Sequence, residues 1–221
     1  MADWVTISSL ATAGGTLALA GATYASVRSS NRTARLAELA LQEQRRPVLM
    51  HSNDDDRTQA VSFGGGHQMS LAGGCAAVEV EADAVYMAAS LRNVGEGIAV
   101  LQGWRSDGAA TIEAGPQGRW RESLVKGQPP TPEDFRPLMR DQYVPSGDLG
   151  FWQAALRDPA DPIYGLIADA VAEERPLSLD LLYTDQVGGQ RTISRFALLL
   201  SEDGWRAAIA RHWYLDADAP R

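Results

Sequence analysis

The sequence opens with a long uncharged segment, and this feature constrains the fold more than any other. Residues 5–27 contain 23 positions without a charge or a proline. As an α-helix the segment is about 34 Å long, and the hydrocarbon core of a bilayer is about 30 Å thick. Trp4 and Tyr24 stand near its two ends, where amphipathic aromatic side chains favour the membrane–water interface. The segment therefore predicts a transmembrane anchor over residues 1–28.

The sequence leaves two other interpretations of this segment open. A cleaved signal peptide begins with positive charge, whereas only Asp3 precedes the apolar run and the arginines follow it. A soluble helix rich in alanine and glycine is the second alternative, but the first half of the run has apolar residues on all sides. Its hydroxyl side chains lower the hydropathy, although they can bond to carbonyls of the same helix. We therefore favour the anchor.

The charges on either side of the segment predict its orientation. Residues 28–46 have a balance of +3, and positive residues stay on the cytoplasmic side of a membrane. We therefore expect the N-terminus outside the cell membrane and the C-terminal domain in the cytoplasm. The residues expected at the membrane interface are Trp4, Tyr24, Arg28, Arg32 and Arg35. With −1 from Asp3, the total of −8 leaves −10 for residues 47–221, which argues against a nucleic-acid partner.

Residues 29–46 predict a juxtamembrane helix, because they are strong helix formers and no breaker occurs before Pro47. Within the anchor, small residues recur four positions apart at Gly14, Ala18 and Ala22. Such a small-residue ladder lets transmembrane helices approach each other closely. The ladder therefore predicts a homo-oligomer that forms through the transmembrane helix.

Residues 47–221 predict an antiparallel β-domain, because short segments alternate apolar and polar residues between glycine-bearing turns. Residues 85–91 alternate in this way, and so does a meander at the C-terminal end. The residues expected on the inner face of the meander are Leu177, Leu179, Leu181, Tyr183, Trp205, Ala207, Ile209, Trp213 and Leu215. Residues 149–156 and 205–215 also fit a helix. The glycine-rich residues 61–75 predict a long loop.

Two helices are expected inside this domain. Ile163, Ile167 and Val171 recur four residues apart, which is typical of one face of a helix. A second, shorter helix is expected after Thr131, because threonine is a good N-cap and Pro132 suits the first helical position. Strands interrupted by so few helices indicate a β-sandwich.

Four segments carry a resemblance to known proteins: LQEQRRP, VYMAASLRNVGEGIAVLQGW, YTDQVGGQRTISRF and ARHWYLD. They resemble a family of uncharacterised membrane-anchored proteins common in actinobacteria. The resemblance covers most of the chain and implies an N-terminal span, an amphipathic helix ending in Arg-Pro, and an immunoglobulin-like sandwich. It implies no reaction and no ligand.

The family's turn matches Arg92, Asn93, Gly95 and Gly97 of this chain. We expect a structural role for it, because glycine permits positive φ and an asparagine side chain bonds the backbone two residues on. The complete prediction is a mainly β (α+β) chain in three parts. The parts are an anchor at 1–28, a juxtamembrane helix at 29–46, and an antiparallel immunoglobulin-like β-sandwich at 47–221 with one or two inserted helices.

The sequence contains no catalytic motif that we can identify. SFGGGH lacks the Lys-Ser/Thr of a phosphate loop, and GEGIAV lacks the third glycine of a dinucleotide fingerprint. Metal-ligand types occur close together at His51, Asp54, Asp55, Asp56 and His67. Consecutive aspartates point in different directions, however, which is typical of a solvated loop. Cys75 lies among small apolar residues with no base beside it. We therefore predict no cofactor, no metal and no catalytic residue.

The triplet Arg119, Trp120 and Arg121 is the strongest indication of a contact surface, because Trp and Arg dominate interface hot spots. The triplet is also compatible with a tryptophan that caps the edge of the sandwich. We predict a single-pass protein that interacts with the bilayer and with a protein partner, as an interaction or scaffold module rather than an enzyme. The alternative is a metal- or ligand-dependent enzyme domain that uses His51, Asp54–Asp56 and His67.

Overall fold

The computed structural model describes residues 4–107 and 128–216, and within them the protein is mainly β with antiparallel sheets and two α-helices. The chain divides into two compact units, Met1–Gln44 and Arg45–Arg221. The helices are α1 (Trp4–Gln44) and α2 (Pro162–Ala172). The strands are β1 (Leu49–His51), β2 (Gln59–Ser62), β3 (Gln68–Leu71), β4 (Ala76–Val80), β5 (Val85–Asn93), β6 (Ala99–Arg105), β7 (Arg136–Val144), β8 (Leu149–Leu156), β9 (Leu177–Thr184), β10 (Arg191–Ser201) and β11 (Gly204–Tyr214).

α1 is one continuous helix of 41 residues, in which the segment predicted as the anchor continues into the segment predicted as the juxtamembrane helix. Its alanines, leucines and glutamines favour the helical state, and it ends shortly before Pro47, whose ring disfavours a helical conformation in the preceding residue. The side chains of Leu10 and of residues 12–44 are exposed. In the part of the chain that the structure describes, no helix combines the length and apolarity needed to cross a membrane.

Three threonine hydroxyls of α1, those of Thr16, Thr23 and Thr33, bond to carbonyl oxygens of the same helix, the kind of bond that the sequence predicted for its hydroxyl side chains. The Thr16 hydroxyl donates to the carbonyl oxygen of Thr12 at 2.9 Å, and the Thr23 hydroxyl donates to that of Leu19 at 2.8 Å. Each hydroxyl therefore has a partner that does not depend on the surrounding solvent.

Two antiparallel sheets of the second unit face each other across one apolar core. In the first sheet, β5 pairs with β8 along one side and with β4 and β1 along the other. The second sheet has the order β11-β10-β9-β6-β7. Side chains from both sheets fill the core, and the large ones that are almost completely buried include Leu91, Trp152, Leu181 and Phe196. The antiparallel β-sandwich predicted from the sequence pattern is confirmed.

β2 and β3 form a hairpin that covers the outer face of the first sheet, where the sequence predicted a long loop. Val61 and Leu71 are completely buried and pack in one cluster with Tyr86 and Ala88 of β5. β5 is therefore buried on both faces, although its sequence alternates apolar and small or polar residues in a way that suggested one solvated face.

The loop prediction was wrong for a local reason. The glycines that suggested a loop include Gly65 and Gly66, which have φ values of 98° and 90° in the turn between the two strands. Each strand has only four residues, and alternation over so short a length gives a weak signal.

β11 contains a β-bulge that changes which side chains face the core. Its pairing with β10 leaves Ala210 as an extra residue. Trp205 and Ala207 pack in the core as predicted, whereas Trp213 and Leu215 lie in a separate cluster with Leu182. The prediction that Trp213 shares the inner face was wrong, because one extra residue moves every later side chain to the opposite face of the sheet.

α2 closes one end of the sandwich. Ile163, Ile167 and Val171 pack against the core from this helix, as their spacing predicted. Its N-cap is Asp161, whose carboxylate accepts a hydrogen bond from the backbone N–H of Ile163 at 3.0 Å. Residues 149–156, which also fitted a helix, form strand β8.

β7 was not predicted, because Pro137 and several charges interrupt its pattern. It is the edge strand of the second sheet, where proline and irregular pairing are tolerated. Four of its residues, 138–141, lie opposite the single residue Gln102. The helix expected after Thr131 is a single 3-10 turn, Pro132–Asp134.

The burial of the hairpin predicts its contribution to stability. Leu71→Ala should lower the free energy of unfolding by roughly 2–5 kcal/mol, because it removes a completely buried side chain and leaves a cavity. Urea denaturation measures this change. Ser70→Ala, at the exposed neighbouring position, is the control and should change stability by less than about 0.5 kcal/mol. Equal stabilities for the two variants would contradict the packing described for the hairpin.

Candidate functional site

The chain enters the second unit through residues 45–48, which lie against the turn that follows β5. A Cβ atom added at Gly95 would overlap the carbonyl oxygen of Arg46, and one added at Gly97 would overlap that of Arg45. Glycine is therefore required at both positions for close approach of two backbones. The expectation of positive φ was wrong, because neither glycine adopts it.

Asn93 is completely buried in this turn, and its side-chain amide binds four backbone groups. Oδ1 accepts hydrogen bonds from the N–H groups of Val48 at 3.1 Å and Gly95 at 3.0 Å. Nδ2 donates to the carbonyl oxygens of Gly97 at 2.6 Å and Val144 at 2.9 Å. A side-chain amide has two N–H donors and two acceptor lone pairs. All four of these hydrogen-bonding positions of Asn93 are occupied, and they join the entering chain to the sandwich.

Arg46, Tyr214 and Asp216 form a contact that we call the entry clamp. Arg46 is 5% exposed and donates to both carboxylate oxygens of Asp216, at 3.0 and 2.9 Å. Its guanidinium carbon lies 4.4 Å from the centre of the Tyr214 ring, within cation–π distance. The clamp thus joins the start of the second unit to the end of its last strand.

The charge of Asp216 is stabilised in the entry clamp. Partial burial acts to raise the pKa of this carboxyl, but the hydrogen bonds and the positive charge of Arg46 outweigh burial and hold the pKa below its ordinary range. This pairing has no local signal in the sequence, because the two partners are 170 residues apart.

A layer of polar side chains lies inside the sandwich between β1, β9, β10 and β11. The N–H of Leu49 donates to the Tyr183 hydroxyl at 3.1 Å, and that hydroxyl lies 2.8 Å from the Ser194 hydroxyl. Ser194 Oγ in turn lies 2.8 Å from His212 Nδ1. Burial raises the pKa of Tyr183 to about 12 and lowers the pKa of His212, so both groups are held neutral.

This layer contains a serine–histidine pair, but the geometry does not suit nucleophilic catalysis. Ser194 is completely buried, so a substrate has no access to its hydroxyl. The bonds instead tie β1 of the first sheet to the second sheet through neutral groups. The layer is therefore a structural network in which each buried polar atom has a partner.

Asp180 and Arg195 form an ion pair on the face of the second sheet that points away from the core, where neighbouring side chains bury it. Asp180 is 1% exposed and accepts two hydrogen bonds from Arg195, each of 2.7 Å. Arg195 and Arg211 lie 5.0 and 5.2 Å from the centre of the Trp213 ring. Hydrogen bonding to Asp180 raises the pKa of Arg195 despite its burial. The sequence analysis missed this pair, although an aspartate within the apolar run LSLDLL was a signal for it.

The residues of the alternative metal or enzyme site do not converge on one site, because they make contacts with different partners. Asp54 forms an ion pair with Arg206, whereas Asp56 binds the guanidinium of Arg92. The ring of His51 instead accepts a hydrogen bond of 3.4 Å from the backbone of β11. Within residues 4–107 and 128–216, no group of three or more His, Cys, Asp or Glu side chains is arranged to hold a metal ion.

His67 belongs to the packing of the β2–β3 hairpin. Its ring stacks on Tyr86 with a centroid distance of 3.8 Å and an interplanar angle of 9°. Its two nitrogens lie 3.1 Å from a carboxylate oxygen of Glu79 and 3.3 Å from one of Glu81. The imidazole therefore lies between an aromatic ring and two acids, away from the contacts made by Asp54 and Asp56.

The residues expected at a membrane interface lie on α1. Tyr24, Arg28, Arg32 and Arg35 line one groove on the surface of this helix, together with Asn31. Trp4 is the first residue of α1, but its side chain lies outside the described part of the structure. The triplet Arg119, Trp120 and Arg121 also lies outside the described residues, so its role stays a prediction.

The entry clamp predicts a specific pH dependence. Asp216→Asn should lower the free energy of unfolding at neutral pH by roughly 1.5–3 kcal/mol, because it removes a charged hydrogen-bond partner. The folded-state pKa of Asp216 is depressed, so its contribution is complete above about pH 4 and is lost as the pH falls through the lowered pKa. Urea denaturation at several pH values measures the difference. The exposed Asp83→Asn is the control, and identical pH profiles for the two variants would refute the clamp.

No model of a known protein family matches this chain, and no curated protein matches it significantly. A crystal structure of a protein from Archaeoglobus fulgidus matches over 66% of this chain and 95% of its own, with 10% sequence identity and a TM-score of 0.23. Similarity at this level carries no argument about fold or function.

Proposed function

We propose that this is a single-pass membrane protein in which α1 inserts into the bilayer and the β-sandwich is an interaction module at the inner leaflet. The observation that carries the proposal is the exposure of large apolar side chains along α1. Leu10, Leu17, Leu19 and Tyr24 are each about 70% exposed. In water, such a series of apolar groups is unfavourable, whereas hydrocarbon accommodates them on every side of the helix.

Two further features of α1 support this environment. The hydroxyls of Thr16 and Thr23 are bonded to carbonyl oxygens of the helix itself, which lowers the cost of placing them in lipid. Arg28, Arg32 and Arg35 follow directly after the uncharged residues 5–27. Such a group of positive charges favours the anionic inner leaflet and retention of the following domain in the cytoplasm.

The sandwich supports recognition through its surface rather than through an internal ligand. Its core is filled by large side chains such as Trp152 and Phe196, both completely buried. Two of the three acids that suggested an enzyme site, Asp54 and Asp56, are paired with different arginines, so the enzyme alternative gains no support from their geometry. An immunoglobulin-like arrangement of the two sheets and a contact patch at Arg119–Arg121 are parts of the same proposal.

A charge placed within α1 tests membrane insertion. Leu19→Arg should reduce the membrane-bound fraction strongly, because insertion becomes less favourable by about 3 kcal/mol at the helix centre. Leu36→Arg makes the same change outside the uncharged segment and should remain bound. Sedimentation of host membranes after alkaline carbonate washing measures the bound fraction. Release of the unmodified protein by the wash, or equal retention of the two variants, would refute the anchor.

Cysteine accessibility in intact cells tests the orientation. Val187 is 77% exposed in the turn after β9, so Val187→Cys in a Cys75→Ser background provides a single reactive thiol. A membrane-impermeant maleimide should label it only after the cells are permeabilised, by at least about tenfold more than before. Ala2→Cys is the control for the other side and should react in intact cells. The reverse pattern would overturn the orientation.

A further inference from the structure

We propose that two copies of this protein pair in parallel and in register through one face of α1, which we call the heptad seam. The seam consists of residues that recur seven positions apart in two series. The first series is Leu10, Leu17, Tyr24 and Asn31, and the second is Ala13, Ala20, Val27 and Ala34. Each of these residues is exposed on the helix.

A seven-residue repeat points to a helical partner rather than to lipid alone. Successive side chains at spacings of three and four form a narrow stripe, which stays in contact with a second helix when the two wind around each other. Lipid chains impose no such period, because they contact all sides of a helix equally. In the first series Leu10, Leu17 and Tyr24 provide large side chains, and the alanines of the second series let the partner approach.

Asn31 identifies the partner as a second copy of this chain. It continues the series of Leu10, Leu17 and Tyr24, so an apolar partner would cover its amide without a hydrogen bond. A second Asn31 at the same height provides both a donor and an acceptor. A single asparagine at this kind of position fixes the register of paired helices.

The parallel arrangement follows from Asn31 and is compatible with the arginines beside the seam. Arg28 and Arg35 flank the seam on one side, whereas Thr23 and Ser30 flank it on the other. In a parallel pair, the two sides of the seam face each other, so each arginine lies next to an uncharged residue of the partner. In an antiparallel pair centred on the seam, residue 31 of one copy lies beside residue 13 of the other, so the two Asn31 side chains lie far apart. Pairing of Asn31 with its own copy therefore favours the parallel arrangement.

The seam is a different surface from the small-residue ladder of Gly14, Ala18 and Ala22. Positions 10, 17 and 24 advance by seven residues, whereas the ladder advances by four and therefore follows another direction around the helix. Pairing through the seam also does not require a bilayer. Failure of membrane insertion and failure of pairing are consequently separate results.

Cysteine cross-linking of the full-length protein tests the seam. In a Cys75→Ser background, Leu17→Cys and Tyr24→Cys should form disulfide-linked dimers on mild oxidation, with yields at least about tenfold above those of controls. The controls are Leu19→Cys and Ser26→Cys, which are also seven residues apart but lie on the opposite side of the helix. Non-reducing gels of oxidised host membranes measure the yields. Equal yields at all four positions, or no dimers at any, would overturn the proposal.

Two further variants separate the seam from the ladder. If Ala18→Cys and Ala22→Cys cross-link more than Leu17→Cys and Tyr24→Cys, the ladder is the pairing surface and the seam is not. Such a result leaves the membrane proposal intact but refutes this one.

Substitution of Asn31 tests the register by an independent measurement. Asn31→Val should convert a single dimer into a mixture of dimers and larger oligomers, because it removes the polar group that specifies one arrangement. Thr33→Val makes a similar change outside the seam and should leave the dimer unchanged. Sedimentation equilibrium in mild detergent measures the distribution. A uniform dimer for both variants would show that Asn31 does not lie between the helices.

Discussion

The close approach of residues 45–48 to the turn at Gly95 and Gly97 is the contact on which the rest of the β-unit depends. It brings β1 alongside β5. β1 has only three residues and would not be stable without this pairing. The position of β1 in turn places Leu49 in the core and its N–H on the Tyr183 hydroxyl, which belongs to the opposite sheet. One backbone contact therefore positions a strand that is hydrogen-bonded to both sheets.

The sequence predicted those parts of the fold that depend on local periodicity. The inner residues of β5 and β9 and the core face of α2 follow directly from the spacing of their apolar side chains. The parts that it did not predict depend on contacts between distant segments. The sequence of β5 does not show that the β2–β3 hairpin covers its outer face. Alternation of residue types separates the two faces of a strand, but it does not show which other segment packs on either face. The pairing of Asp180 with Arg195 likewise became visible only with the register of β9 and β10.

The sequence analysis identified the residues of the turn against which the entering chain lies, but it assigned the wrong physical reason to the glycines. Asn93, Gly95 and Gly97 were identified from a resemblance, with positive φ as the expected reason for the glycines. The reason is the absence of a side chain, which allows two backbone segments to come together. A sequence shows that a residue is glycine but not which of its two properties the fold uses. Arg46 and Asp216, which stabilise the same place, gave no local signal.

The entry clamp determines where the two described ends of the β-unit lie. Arg46 and Asp216 are in contact, so the first and last described residues of this unit lie close together. Their contact lies at the Asn93 end of β5, whereas α2 lies at the Val85 end, where the hydroxyl of Tyr164 binds the carbonyl of Glu81. Nine residues of β5 separate the two ends by about 26 Å. Both described ends of this unit therefore lie near one end of β5, and α2 lies near the other end.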